Sequence, residues 1–70
     1  MKNYSTEELE HIFSNVPLNS GNGARVFSNI QEKYPFLVMQ HLGWIRITKD
    51  LPLSILFIVT DEGMKHYSKS

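Results

Sequence analysis

The chain has 70 residues, 29 of them apolar, which is room for one domain with a single small core and for nothing built from two lobes. It contains no cysteine, so a disulfide framework, a thiolate zinc site and a cysteine nucleophile are all excluded, and stability must come from packing alone. Seven basic and seven acidic residues cancel, leaving none of the global attraction expected of a strongly nucleic-acid-binding domain; any such binding must rest on a local patch. The first ten residues carry Lys2 and three glutamates without an apolar run of signal-peptide length, so the expected mature protein is the whole chain, a single domain over residues 1 to 70, in the cytoplasm. The longest apolar stretch, 51 to 59, is interrupted by Pro52 and Ser54 and falls far short of the ~20 residues a membrane helix needs.

A first helix is predicted over residues 6 to 15. Ser5 and Glu8 have the spacing of a capping box, Glu7, Glu8 and Glu10 suit the positive end of the helix dipole, and Leu9, Ile12, Phe13 and Val16 form one apolar stripe. Pro17 stops this helix, and the run from Val16 to Gly23 reads as a loop. A second helix is expected from about Asn22, with Val26, Phe27, Ile30 and Tyr34 on its inner face and Arg25, Ser28, Asn29, Glu32 and Lys33 pointing outward. Pro35 disfavours helical geometry at Tyr34 but suits the first turn of a third helix, Pro35 to about Leu42. That helix is apolar nearly all round and is expected to be largely buried, with Gly43 in the left-handed position that ends it.

After Gly43 the period changes to two. Residues 44 to 48 and 54 to 59 are rich in β-branched and aromatic side chains, and the short link through Lys49, Asp50, Leu51, Pro52 and Leu53 requires an antiparallel hairpin. Ile55, Phe57 and Val59 point one way and Leu56 and Ile58 the other, so the second strand is apolar on both faces and calls for a second covering layer: the first helix, a third strand or another subunit. Thr60 caps a short last helix with Asp61 and Glu62 in its first turn and Met64 and Tyr67 facing inward. The fold class is therefore α+β. Residues 36 to 59 hold 15 of the 29 apolar side chains, and there are no internal repeats.

Three helices, then Leu42-Gly43-Trp44-Ile45 leading into a hairpin, then Phe57-Ile58-Val59-Thr60-Asp61-Glu62-Gly63-Met64 leading into a helix, resemble the winged helix-turn-helix domains of bacterial and phage regulators. The likeness covers roughly residues 36 to 67. It implies a small winged-helix-like domain in which the hairpin is the wing, and a transcriptional regulator with DNA as ligand. In such a protein Arg25, Ser28, Asn29, Gln40, Arg46 and Lys49 would face the duplex, the arginines and Lys49 meeting phosphates. The helix at the reading position departs from the pattern: it spans barely two turns and offers only Gln40 and His41 to base edges.

Charge is segregated, with a net of +2 over residues 20 to 50 and −2 over residues 1 to 10. That supports a phosphate track through Arg46 and Lys49, yet scattered basic residues in this number are the commoner property of a solvated surface. The run Ser20-Gly21-Asn22-Gly23 lacks the lysine and preceding strand of a nucleotide loop. His11, His41 and His66 are too far apart in sequence for the usual metal pairing and are expected at the surface or rim, and no serine sits in a nucleophile elbow. The expectation is a protein without enzymatic activity, metal or cofactor. The alternative to DNA binding is a protein-binding adaptor or inhibitor, or a dimer, using the hairpin face with Trp44, Leu51, Leu53, Leu56 and Ile58 as anchors.

Overall fold

A computed structural model describes residues 4 to 67; Lys2, counted in the amino-terminal charge, lies outside them. Among the described residues the order is α1 (Thr6–Ser14), β1 (Leu18–Asn19), β2 (Asn22–Val26), a 3₁₀ turn (Ile30–Lys33), α2 (Tyr34–His41), β3 (Ile45–Leu51), β4 (Ser54–Val59) and α3 (Asp61–Tyr67). The strands form one antiparallel sheet in the order β1-β2-β4-β3, giving a small α+β domain of three α-helices and four strands.

α1 starts where its cap residues dictate. The Ser5 hydroxyl accepts from the Glu8 amide at 3.1 Å and the Glu8 carboxylate accepts from the Ser5 amide at 3.4 Å, while Asn15 closes the carboxyl end. Leu9, Phe13 and Val16 are buried and Ile12 packs against them, so the expected stripe is the one that enters the core.

The expected second helix is absent from residues 22 to 29. Ser20 and Gly21 both hold positive φ, 55° and 81°, which makes the two-residue turn that matches the twist of a hairpin, and β1 and β2 pair across it. β2 then lies against β4, with Gly23 opposite Phe57. A Cβ on Gly23 would sit 2.4 Å from Phe57 Cζ, so glycine at this point of β2 is what lets the Phe57 ring lie against the strand. Only from Asn29 does the chain coil. The Asn29 side chain accepts from the Glu32 amide at 3.2 Å, and the Glu32 carboxylate takes the Ser28 amide at 2.9 Å. Val26, assigned to an inner helical face, is 75% exposed, whereas Phe27 is buried in the core.

Tyr34 is helical, φ −57° and ψ −41°, and the 3₁₀ turn runs straight into α2 with Pro35 in its first turn. Here the fixed φ of proline at a helix start outweighs the restriction it places on its neighbour. α2 buries Pro35, Phe36 and Met39 but leaves Leu37 and Val38 half-buried and Leu42 exposed, so it is less enclosed than its composition implies. Gly43, at φ 84°, ends it as expected.

β3 runs on to Leu51, leaving Pro52 and Leu53 as the turn, and Thr48 forms a bulge between Ile47 and Lys49. Ile45, Ile55, Phe57 and Val59 meet the helices on one face of the sheet, where they join Leu9, Phe13, Val16, Phe27, Phe36, Met39 and Trp44 in a single core. α3 is capped by Thr60, whose hydroxyl accepts from the Gly63 amide at 3.0 Å and donates to the Gly43 carbonyl. Of its expected inward residues Tyr67 packs against the core, its hydroxyl donating to the Val16 carbonyl at 2.7 Å, but Met64 is exposed; Gly63 is the buried position, lying against the backbone of Trp44.

Lys33 is the one buried charged residue of the described chain, and its ammonium meets the Asp50 carboxylate and, at 2.7 Å, the Leu51 carbonyl. This contact ties the 3₁₀ turn to the end of β3. Asp50→Ala leaves the ammonium buried with a carbonyl as its remaining partner and is expected to cost about 1–3 kcal/mol. Lys33→Met removes the charge and its need for a partner together, so its urea midpoint should fall less than that of Asp50→Ala.

Candidate interaction surface

The helices cover one face of the sheet; the other is open. Because strand side chains alternate, the register writes out that open face rung by rung across β2, β4 and β3: Asn22, Ile58 and Arg46; then Ala24, Leu56 and Lys49; then Val26, Ser54 and Leu51. Leu56 and Ile58 are 45% and 44% exposed at the centre of this grid, and Leu51 and Leu53 extend the exposed apolar surface to the hairpin turn. The second layer expected over β4 is absent among the described residues. Large aliphatic side chains side by side on a sheet face in so small a domain are the feature that calls for an explanation.

Beside Leu56 the face dips. The small residues Gly23 and Ala24 leave an open depression of about 440 Å³ walled by Pro17, Leu18, Asn19 and Asn22. Charge on the face is one-sided. Arg46 and Lys49 stand in the β3 column and are exposed, whereas all seven acidic residues lie elsewhere: Glu7, Glu8 and Glu10 on α1, Glu32 in the 3₁₀ turn, Asp61 and Glu62 on α3, and Asp50 at an inner-face position of β3 paired with Lys33.

Of the residues singled out in the sequence, the fold thus brings Arg46, Lys49, Leu51, Leu56 and Ile58 onto one surface with Leu53 at its rim. The others go elsewhere. Arg25 is exposed but in register with Ile55, hence on the opposite side of the sheet, and Ser28 and Asn29 cap the 3₁₀ turn. Gln40 accepts the Ile47 amide at 2.9 Å, which occupies its side-chain oxygen with the edge of β3. Trp44 is 3% exposed and belongs to the core, its ring stacked 3.9 Å from that of His66 and 6.1 Å from that of Phe13.

His66, expected at the surface or rim, lies at the rim with its side chain 17% exposed. Its Nδ1 lies 2.7 Å from a Glu10 carboxylate oxygen and its Nε2 3.3 Å from Glu62, so the ring bridges α1 and α3 over Trp44. Both ring nitrogens are engaged, which makes this a structural clamp. Among the described residues no group of three histidine or acidic side chains is placed to hold a metal ion, and no helix is long and apolar enough to cross a membrane.

Asn22, Ala24 and Val26, the β2 column of the face, were not identifiable while residues 22 to 34 read as helix. The signal that places them is the Ser20-Gly21 turn, whose two positive φ values define a hairpin. Comparison with models of protein families, with curated proteins and with solved structures finds no match to this chain, so its function rests on the geometry of this surface.

Proposed function

We propose that the protein is a non-enzymatic binding module, winged-helix-like only from α2 through the β3–β4 hairpin to α3, that works by docking another protein on the open face of its sheet. The observation that carries this reading is the exposure of Leu56 and Ile58, with Val26 and Leu51, on one side of a sheet whose other side holds the core. A second observation agrees. Along the 3₁₀ turn and α2, where a winged helix presents polar side chains to base edges, the exposed residues include Ile30, Tyr34 and Leu42. These apolar side chains, set among the exposed Gln31, Glu32, Gln40 and His41, suit contact with a protein better than with a major groove.

The reading is tested by capturing partners from the cells that make the protein, with the wild type and with Leu56→Asp as baits. The expected result is a protein retained by the wild type and lost by the variant. A partner held equally by both baits overturns the assignment of the face.

DNA binding is the second reading, favoured by Arg46 and Lys49 standing together on the hairpin strand with no carboxylate on their face. In that case Arg46→Ala with Lys49→Ala weakens binding to every duplex and flattens its salt dependence. Amide NMR titration with a short mixed-sequence duplex at low salt decides between the two. Docking of protein predicts no salt-reversible shifts, and shifts confined to residues 20 to 50 and reversed by salt would transfer the function to DNA.

A further inference from the structure

Resting on the docking reading, we infer that the element received by the open face is an amphipathic helix of a partner protein, apolar along its centre and acidic along the flank that meets β3.

The charge distribution selects the sign. Arg46 and Lys49 form a cationic column beside the aliphatic centre, and the opposite column holds Asn22, Ala24 and Val26, so one rim of the bound element meets cations and the other meets neutral groups. Covering Arg46 and Lys49 with apolar or basic surface would desolvate two charges without compensation. Carboxylates on one flank supply it. A second copy of this chain, set face to face, brings no carboxylate to either cationic column, because its own seven are all off this face.

Shape selects a helix laid across the face over a strand added at the β3 edge. That edge is blunted in three ways: Thr48 bulges, Gln40 takes the Ile47 amide, and Lys33 takes the Leu51 carbonyl. Three strands about 4.8 Å apart make a platform about 10 Å between outer strand axes, which matches the ~10–12 Å diameter of a helix with its side chains. A helix laid on an antiparallel sheet is also one of the few layer arrangements by which domains bury an aliphatic sheet face. The depression of about 440 Å³ beside Ala24 and Leu56 accepts one large apolar side chain from it and is the natural anchor point.

The test is selection of a randomised, helix-forming peptide library displayed on yeast against the full-length wild-type protein, with each enriched peptide rebound to Leu56→Asp and to the double variant Arg46→Glu, Lys49→Glu. Expected are peptides with apolar residues at helical spacing and Asp or Glu concentrated on one flank. Their binding should be lost with Leu56→Asp, weakened about tenfold or more by the double charge reversal, and recovered when the peptide acids are exchanged for lysine. Arg46→Gln with Lys49→Gln serves if the reversed variant is poorly folded. Peptides that require Leu56 but alternate with period two, or show no acidic flank, overturn the acidic helix and leave the docking face standing. Peptides indifferent to Leu56→Asp, or no enrichment at all, overturn both. A wild type that sediments as a dimer while Leu56→Asp sediments as a monomer makes a second copy the occupant and also overturns the inference.

Discussion

Gly63→Ala is expected to remove most of the protein's stability, although it adds one methyl group to a helix. The cause is the seating of α3 on the strand entry. A Cβ at this position would lie 1.9 Å from the Trp44 carbonyl oxygen and 2.7 Å from its carbon, with Val59 Cγ1 at 2.9 Å on the other side. The first two obstacles are backbone, and that backbone is not free to move: the Trp44 carbonyl accepts from the Thr60 amide at 3.0 Å and lies 3.0 Å from the Thr60 hydroxyl, which also caps the helix. Relief requires α3 to lift, which opens the contact of Tyr67 with Phe13 and of His66 with Trp44. Overpacking against side chains costs about 1–3 kcal/mol; against pinned backbone the loss should be about 3 kcal/mol or more, a large share of the roughly 5 kcal/mol that a domain of this size typically has. Urea unfolding followed by circular dichroism checks it, with the exposed Lys65→Ala on the same helix as the control expected to stay within about 0.5 kcal/mol of the wild type. Equal midpoints for the two variants would contradict the seating described.

Phe13→Ala is expected to be as damaging for the opposite reason, a cavity. Phe13 is fully buried and joins three elements: it belongs to α1, meets Tyr67 of α3 edge-on at 5.2 Å between ring centroids, and stacks at 6.1 Å on Trp44 at the entry to β3. Removing a buried phenyl ring typically costs about 3–5 kcal/mol. In a domain this small each kcal/mol lowers the melting temperature by about 4–8 °C, so a fall of more than 10 °C is expected, with Trp44 fluorescence shifting to the red as solvent reaches its ring. A fall of a few degrees would mean that α1 does not carry the packing assigned to it.

The parts of this fold that were legible in the sequence are those with a local cause. The Ser5–Glu8 capping box, the stripe at Leu9, Phe13 and Val16, the Gly43 stop and the alternation of Ile55, Phe57 and Val59 each depend on neighbours within a few residues, and each stands where expected. β2 was illegible because its alternation runs against burial. Val26 lies on the open face, Arg25 on the exposed margin of the helix side, and Gly23 contributes no side chain, so the segment has no strand pattern, while Phe27, Ile30 and Tyr34 fall by coincidence at helical spacing. The clamp at His66 has no local signal in the sequence, because its partner Glu10 stands 56 residues away and only the meeting of α1 with α3 over Trp44 brings them together. Trp44 was assigned to an interface for a related reason: its neighbours in sequence are hairpin residues, but it enters the core before the strand begins. The interaction surface itself was half visible. Its β3 and β4 columns follow from strand alternation, and its β2 column, with the depression beside Ala24, needed the tertiary pairing.

The most direct measurement is the urea midpoint of Leu56→Asp set beside that of Ile55→Asp, two neighbours on one central strand. Ile55 is 1% exposed and sits in the core, so a carboxylate there should leave no folded protein. Leu56 points to the open face, and its variant should remain folded within about 1 kcal/mol of the wild type, the span that strand preference alone accounts for. That result leaves a stable domain with a large aliphatic surface available to a partner. If both variants unfold, Leu56 is core, the face is covered, and the docking surface proposed here does not exist.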